Sequence, residues 1–304
     1  MDNATGTSGN AFPRANGSRS ENVGIETLGI DGVGLIGGSI AAAVKSRGLC
    51  RLVLGFGRSA GRLEIAREEG LIDDCSTDYR AAAKVDLLVC CLPVDRIGDA
   101  VRSAAKYMRP GTTVTDAGSV KVAVCAEIGS EPAPGIAFVG SHPLAGSEKQ
   151  GFEHADAGLF AGRTCIVTPT EMSNASAVSR IAEFWRGLGS NVVTMPPAEH
   201  DRIMARTSHV PHAIAAAIAA GLANGEEHFA ASGFRDMTRI AGGDPRLWTG
   251  ILLANREAVS AEMNAFIERC EAISSALASS DAQEVERLLV DGQRRRKAFA
   301  ETFQ

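Results

Sequence analysis

The 304-residue sequence has no Cys-x-x-Cys pair, the spacing typical of many zinc sites and redox-active thiols. Its seven cysteines are odd in number, and several lie in apolar runs such as LLVCCLPV, which indicates core residues in a reducing compartment. No apolar run is long enough to span a bilayer, and the longest candidate helix, over residues 210–223, contains Pro211. The chain also opens without the apolar segment of a signal peptide. We therefore expect a cytoplasmic protein.

An excess of positive charge is also missing. Lysine and arginine total 31 against 36 acidic residues, so the net charge is -5, which argues against nucleic acid or an anionic membrane as the main partner. The dense basic cluster Arg294–Lys297 is interpreted as a solvated helix face. With 45% hydrophobic and 22% charged residues, the composition is that of a globular protein large enough for two domains.

Apolar runs alternate with helical stretches between residues 24 and 198. The runs that predict strands are IETLGI, RLVLGF, VDLLVCCL, TTVTDA, IAFVGS, TCIVTP and NVVTM. This alternation predicts the α/β class, with a Rossmann-like, doubly wound, mostly parallel sheet. Residues 199–304 show helical periodicity instead, with apolar faces wide enough to be shared in a homodimer. Residues 1–23, rich in Asn, Gly, Ser and Thr, are expected to form a disordered tail.

A glycine-rich turn follows the first predicted strand. Its G-x-G-x-x-G pattern consists of Gly32, Gly34 and Gly37. The first glycine permits the turn, the second lets a pyrophosphate approach the backbone, and the third lets the next helix pack on the sheet. Leu35 and Ile36 open that helix, whose free N–H groups and dipole favour phosphates. Because a strand precedes the pattern and an Ala-rich helix follows it, residues 24–198 are predicted to be a dinucleotide-binding domain.

Arg58 and Ser59 follow the second predicted strand, where NAD-preferring sites usually place a carboxylate against the ribose hydroxyls. A carboxylate would repel a 2′-phosphate, whereas a guanidinium and a hydroxyl attract one. This position favours NADP, with NAD as the second possibility. The alternative interpretation is a surface arginine without a role in cofactor choice.

Two later strand ends carry polar side chains. Ser119 lies in TTVTDAGSVK, and His142, Ser147 and Glu148 lie in IAFVGSHPLAGSE. Ligands of open α/β sheets bind at the carboxyl ends of the strands, so these residues are candidates for the site. A hydroxyl near an imidazole can fix its tautomer and leave the other nitrogen free to accept a proton. A purely structural histidine is the alternative.

The helical half opens with EHDRIMARTSHVPH, in which His200, Ser208 and His212 can share one broad helix face. Pro211 should kink this helix. The three histidines of the stretch lack a familiar set of carboxylate or cysteine ligands, so no metal is expected. Arg239, shortly before a Gly-Gly-Asp-Pro break, is a candidate clamp for a carboxylate, with helix capping or a salt bridge as the alternative.

Taken together, these motifs resemble the prephenate/arogenate dehydrogenase family, which carries out the oxidative step of tyrosine biosynthesis. The resemblance covers about residues 25–300 and rests on GVGLIGGSIA, DAGSVK, SHPLAGSEKQG, HDRIMARTSHVPH and TRIAGGDPRLW. It implies NAD(P)-dependent oxidative decarboxylation of prephenate to 4-hydroxyphenylpyruvate. It also implies a catalytic base at His142 with Ser119 hydrogen-bonded near it, a substrate carboxylate on Arg239, and residues 199–304 as the substrate and dimerisation domain. The positions implied to line the substrate cleft are Ser147, Glu148, His200, Ser208 and His212.

The sequence departs from the family at two positions. Asp31 stands where an apolar residue is usual, and Ser147 where threonine is common. No chorismate mutase segment or C-terminal regulatory domain can be fitted, so feedback control by tyrosine is not expected.

Three alternatives to a prephenate dehydrogenase stay open at this point. The first is arogenate dehydrogenase, although no carboxylate is obviously dedicated to an ammonium group. The second is a 3-hydroxyacid dehydrogenase, although the catalytic lysine of that class has no counterpart between residues 150 and 296. The third is a catalytically silent nucleotide sensor, against which the intact His142, Ser119 and Arg239 count.

Overall fold

A computed structural model describes residues 24–146 and 149–301, so the predicted tail over residues 1–23 lies outside the described residues. The chain forms two compact units, with the boundary along the sequence between Asn255 and Arg256. The strands, all in the first unit, are β1 (Ile25–Asp31), β2 (Cys50–Phe56), β3 (Asp74–Ser76), β4 (Leu87–Cys90), β5 (Thr113–Asp116), β6 (Ala137–Phe138), β7 (Gly140–Pro143), β8 (Thr164–Thr168) and β9 (Asn191–Thr194).

Six parallel strands form the main sheet in the order β3-β2-β1-β4-β5-β6. This order, which reverses direction at β1, is that of a doubly wound dinucleotide-binding sheet, and the predicted fold class is confirmed. In register, Asp31 of β1 pairs with Phe56 of β2 and Cys90 of β4, and Cys90 pairs with Asp116 of β5. These four strands therefore end at one edge, where ligands of such sheets bind.

The predicted strand IAFVGS is wrong as a single element, because it divides between two sheets. Its first part is β6 of the main sheet, whereas β7 pairs antiparallel with β8, which in turn pairs parallel with β9. Gly140 opens β7, and a Cβ atom there would lie 2.6 Å from Thr168 Oγ1, so glycine permits the close pairing. As a result, His142 lies within a strand of the second sheet rather than after a strand of the first.

Helices cover both faces of the main sheet. The helices of the first unit are α1 (Leu35–Arg47), α2 (Ala60–Glu68), α3 (Val94–Ala105), α4 (Val122–Ile128), α5 (Ala175–Gly187), α6 (Pro197–Met204), α7 (Val210–Ala220), α8 (Ser232–Thr238) and α9 (Pro245–Ala254). Ile30 and Val89 belong to a core cluster with α1 and α5, whereas Leu54 and Leu88 belong to one with α3 and α4. Neighbouring strand residues thus face opposite apolar layers, as expected for a parallel sheet buried on both sides.

The second unit is a pair of helices, α10 (Arg256–Ala278) and α11 (Ala282–Glu301), joined at a turn in which Ser280 has a φ of 54°. Large apolar side chains of this pair are exposed, including Leu277, Leu289 and Val290. In the described part of the chain, no helix combines the length and the apolar character needed to cross a membrane.

Candidate active site

The glycine-rich turn between β1 and α1 has the shape that a pyrophosphate needs. Gly32 has a φ of +95°, and a Cβ atom on it would lie 2.8 Å from the carbonyl oxygen of Cys91. A Cβ atom on Gly37 would lie 2.2 Å from the carbonyl oxygen of Gly32, so both positions require glycine. A Cβ atom on Gly34 would meet no described atom within 4 Å, so the space above this residue is open. No described side chain caps α1, which leaves its first N–H groups available for phosphate oxygens.

A cleft of about 910 Å³ extends from this turn over the ends of β1 and β2. Arg58 and Ser59 line it, and Ser59 Oγ also caps α2 by accepting from the N–H of Arg62 at 3.4 Å. Arg96 of α3 lines the same cleft, a residue that sequence reasoning missed. Across residues 24–146 and 149–301, no carboxylate forms an ion pair with Arg58 or Arg96. Two exposed guanidinium groups are thus available to an anionic ligand.

The side chains of His142, His200 and Asp201 form a hydrogen-bonded chain, which we call the histidine relay. His142 Nδ1 lies 2.9 Å from His200 Nε2, and His200 Nδ1 lies 2.7 Å from Asp201 Oδ1. The Asp201 carboxylate also accepts the backbone N–H groups of Lys121, at 2.8 Å, and Val122, at 2.9 Å. It thereby caps α4 and ties α6, which carries the His200–Asp201 pair, to the end of β5.

The relay fixes the tautomers of both rings. Because the Asp201 carboxylate only accepts hydrogen bonds, His200 Nδ1 is the donor in their contact. In a neutral His200 ring, Nε2 then accepts, so His142 Nδ1 donates to it. The unprotonated nitrogen of His142 is therefore Nε2, which is the form that a general base needs.

Burial keeps the relay histidines neutral. It lowers the pKa of His142 well below its usual range, and His200, Lys121 and His209 shift that pKa in the same direction. Burial also lowers the pKa of His200, although the hydrogen bond to Asp201 opposes this shift. Both rings therefore hold the neutral form that the tautomer argument requires near neutral pH.

A buried ion pair lies behind His142. Lys121 and Asp116 are fully buried and paired, and Lys121 Nζ donates to the carbonyl oxygen of Ser141 at 2.8 Å. Asp116 Oδ1 accepts the backbone N–H of Ser141 at 3.1 Å, and Trp185 donates to Ser141 Oγ at 2.8 Å. The backbone next to His142 is therefore held from three sides. Sequence reasoning assigned no role to Asp116 or Lys121.

Ser208, His212 and Arg239 lie in a second group, together with Trp248. We call these four residues the exposed group after Arg239, its exposed member; the other three are half-buried. His212 Nδ1 donates to the carbonyl oxygen of Ser208 at 2.9 Å, and its ring stacks on Trp248 with centroids 3.4 Å apart. Burial lowers the pKa of His212, and the charge of nearby Arg239 acts in the same direction. Arg239 itself is exposed, and Trp248 was missed by sequence reasoning.

The helix that carries Ser208 and His212 is interrupted where a kink is predicted. Between α6 and α7, residues Ala205–His209 form a π-helical turn, in which the N–H of Val210 reaches the carbonyl oxygen of Ala205. Pro211 follows directly and has no N–H to continue the regular ladder, which explains the irregularity. Such turns are frequent at functional sites.

One described site residue, Ser119, stands apart from these groups. Ser119 is half-buried after β5, and in the part of the chain described here its hydroxyl makes no hydrogen bond to His142; the imidazole bonds to His200 instead. Ser147 and Glu148 lie outside the described residues. Within those residues, no group of three or more His, Cys, Asp or Glu side chains is placed to hold a metal ion.

Comparison with known proteins identifies the family. Residues 40–194 match the model of the prephenate dehydrogenase nucleotide-binding domain, and residues 196–291 match that of the prephenate dehydrogenase dimerization domain. The chain is 34% identical to the cyclohexadienyl dehydrogenase of Zymomonas mobilis, over 84% of this chain and 89% of that protein. It is 31% identical to the prephenate dehydrogenase of Bacillus subtilis, over 85% of this chain and 72% of that protein.

A solved structure shows the same fold. The prephenate dehydrogenase from A. aeolicus, crystallised with hydroxyphenyl propionate and NAD+, superposes with a TM-score of 0.83 at 27% identity, covering 90% of this chain and 98% of that one. The family models together span more than half of the 304 residues. The chain belongs to the prephenate dehydrogenase family of NAD(P)-dependent oxidoreductases.

Proposed function

We propose that this protein oxidises and decarboxylates prephenate to 4-hydroxyphenylpyruvate, with NADP as the preferred cofactor and His142 as the general base. The observation that carries the proposal is the histidine relay, because it leaves His142 Nε2 unprotonated. The relatives from Bacillus subtilis and A. aeolicus, which bear the name prephenate dehydrogenase, support the choice of substrate.

The proton steps follow from the relay. The substrate ring carries a hydroxyl at C4 and a carboxylate at C1. A bound nicotinamide would accept the hydride that leaves C4. His142 Nε2 takes the hydroxyl proton as the C4 oxygen becomes a carbonyl. This carbonyl accepts the electron pair released when the C1–carboxylate bond breaks. The ring becomes aromatic, and His142 returns the proton to the phenolic oxygen.

The glycine-rich turn and the two free arginines fit the proposed cofactor. Gly32, Gly34 and the uncapped start of α1 would hold the pyrophosphate. Arg58 and Arg96 suit a 2′-phosphate, because each is exposed at the cleft and lacks a carboxylate partner among the described residues. We therefore assign the NADP preference to this pair, with NAD as a weaker cofactor.

Arg239 is proposed to bind a carboxylate of the dianionic substrate. It is exposed, it makes no ion pair with a carboxylate in residues 24–146 and 149–301, and it lies close enough to His212 to lower the pKa of that ring. Ser208 and His212 would line the same side of the substrate. Ser119, Ser147 and Glu148 stay predictions that rest on the family resemblance.

Arogenate is the second candidate substrate, and the tautomer of His212 favours it. Because His212 Nδ1 donates to the carbonyl oxygen of Ser208, a neutral His212 ring offers only an acceptor at Nε2. An acceptor suits the ammonium group of arogenate, whereas a donor to the keto group of prephenate requires a protonated His212. His212 can donate to a keto group only in its charged form. The related cyclohexadienyl dehydrogenase makes this alternative worth testing.

A direct assay tests the proposal. Purified protein would be given prephenate or arogenate with NAD or NADP, and reduced cofactor would be followed by absorbance. We expect the highest kcat/KM for prephenate with NADP. A higher value with arogenate would select the second candidate, and no turnover in any of the four combinations would favour the silent nucleotide sensor instead.

A homodimer is the proposed assembly. The match to a dimerization domain supports it, as do the exposed apolar side chains Leu277, Leu289 and Val290 on the second unit. Light scattering at assay concentration should give twice the 31.7 kDa of one chain. A cytoplasmic location and domains over residues 24–198 and 199–304 likewise stay predictions.

A further inference from the structure

Asp31, the residue that departs from the family's usual apolar type, is a buried acid at the dinucleotide cleft. It ends β1 directly before Gly32, is 2% exposed and lines the cleft. No lysine, arginine or histidine forms an ion pair with it in the described part of the chain. Burial raises the pKa of its carboxyl group. The thiols of Cys90, which ends neighbouring β4, and of Cys91, which follows that strand, are neutral because burial raises their pKa values too. An acid is costly here, and an aliphatic residue would not be.

The partner of Asp31 is Tyr79, which comes from the other side of β2. Its hydroxyl donates to Asp31 Oδ2 at 2.7 Å. Tyr79 follows β3 and opens a short 3-10 turn, and its half-buried ring lies 5.8 Å from that of Phe56. In register, Phe56 is paired with Asp31 on one side and with Ser76 on the other. Tyr79 therefore reaches across the end of β2, and the hydrogen bond to Asp31 fixes its ring there.

The position of Tyr79 corresponds to the adenosine half of a dinucleotide. In a doubly wound sheet the pyrophosphate lies at the first glycine turn, and the adenosine ribose lies at the end of the second strand. Arg58 and Ser59 mark that ribose position here, and Ser76, Thr77 and Tyr79 line the cleft beyond it. An aromatic ring at this place offers a flat apolar face to a purine base.

We propose that Tyr79 is an adenine-binding residue and that Asp31 is a positioning residue that holds its ring. The buried acid thus serves cofactor binding rather than the core. This inference requires only that the domain binds a dinucleotide, and it is independent of the identity of the oxidised substrate.

Four single variants and two fragments of the cofactor test the pair. Tyr79→Phe keeps the ring and removes the hydroxyl, and Tyr79→Leu removes the ring. Asp31→Asn keeps an oxygen that accepts from Tyr79, whereas Asp31→Leu removes it. Dissociation constants for AMP and for nicotinamide mononucleotide would be measured by calorimetry on the full chain, with melting midpoints as the check on folding.

The expected losses are confined to the adenosine fragment. AMP binding should weaken roughly three- to tenfold in Tyr79→Phe, because the ring loses the hydrogen bond that orients it, and roughly 10- to 100-fold in Tyr79→Leu, because the stacking face is lost. Asp31→Asn should stay within about twofold of wild type, since the hydrogen bond survives. Asp31→Leu should resemble Tyr79→Phe. A double variant that combines Asp31→Leu with Tyr79→Phe should be no worse than either, because both substitutions remove the same contact. Binding of nicotinamide mononucleotide should not change.

Other patterns overturn the inference. Wild-type AMP affinity in Tyr79→Leu would show that Tyr79 does not contact adenine. Additive losses in the double variant would show that Asp31 and Tyr79 act independently. Equal weakening of both fragments would indicate a general change in the domain. If Asp31→Leu does not fold, Tyr79→Phe and Asp31→Asn still decide the question. If the variants change AMP binding as expected but the wild-type protein does not turn over prephenate, the result would count against the proposed function alone.

Discussion

The histidine relay and the exposed group lie in the same unit but are built differently. In the relay, His200 and Asp201 are buried, and Asp201 is held by two backbone N–H groups. In the exposed group, His212 has one backbone contact, and Arg239 has no ion-pair partner among the described residues. A proton acceptor needs a fixed tautomer before the substrate arrives, whereas groups that bind a charged substrate can take the substrate itself as their partner.

The largest expected effect comes from removing the base at the end of the relay. His142→Asn should lower kcat by roughly 10²- to 10⁴-fold, the usual contribution of a positioned general base. Cofactor affinity should stay at the wild-type value, because His142 does not line the cleft proposed for the dinucleotide. Steady-state kinetics and cofactor titration on one preparation check both statements. Turnover near wild type would remove His142 from the chemistry.

The second-largest effect on kcat is expected at Asp201, the inner end of the relay. Asp201→Asn can present an amide N–H to His200 Nδ1, which would reverse the tautomers of both rings and leave His142 Nε2 protonated. We expect kcat to fall roughly 10- to 100-fold, with a smaller change in KM. The melting midpoint should also fall, because Asp201 caps α4. A lower midpoint with wild-type kcat would assign Asp201 a structural role only.

The exposed group should respond through KM instead of kcat. Arg239→Ala should raise the KM for prephenate roughly 10- to 100-fold, as for a charged hydrogen bond, without lowering the melting midpoint. Arg239→Lys should already be impaired, since lysine lacks the planar pair of donors. A capping or salt-bridging arginine would give the reverse result, with a lower midpoint and an unchanged KM.

The smallest effect is expected at the cleft proposed for the cofactor, where Arg58 and Arg96 are proposed to bind the same 2′-phosphate. Arg58→Ala should weaken NADP about tenfold and leave NAD nearly unchanged, because only NADP carries the 2′-phosphate. Arg96→Ala is a second test of the same assignment. It should also weaken NADP and leave NAD nearly unchanged. Fluorescence titration of the reduced cofactors measures both. Equal losses for NAD and NADP would refute the assignment of Arg58 to the 2′-phosphate.

Local patterns in the sequence predict part of this structure. Gly32, Gly34 and Gly37 are recognisable because a local pattern fixes their structure, and the alternation of strands and helices gives the doubly wound sheet. The three-residue strand β3 is too short and too polar to show in that pattern. Both histidines of the relay are visible as candidates in the sequence.

Their contact cannot be predicted from sequence alone. His142 and His200 are 58 positions apart, and they meet only because IAFVGS divides at Gly140 and sends β7 into a second sheet. The same limit applies to Trp248 beside His212 and to Tyr79 beside Asp31. In each case the residue types are visible in the sequence, whereas the partner depends on tertiary packing.

The tautomer of His142 is the central claim, and nitrogen-15 NMR of its ring measures it directly. A titration of uniformly labelled protein, with His142→Asn to assign the signals, reports which ring nitrogen carries the proton at each pH. We predict that Nδ1 is protonated and Nε2 unprotonated at pH 7. We also predict that the ring gains its second proton only below its ordinary pKa of about 6.5, because burial and neighbouring groups lower that pKa. A proton on Nε2 at pH 7, or a titration midpoint of His142 at or above 6.5, would contradict the claim that the relay holds His142 in the form that a general base needs.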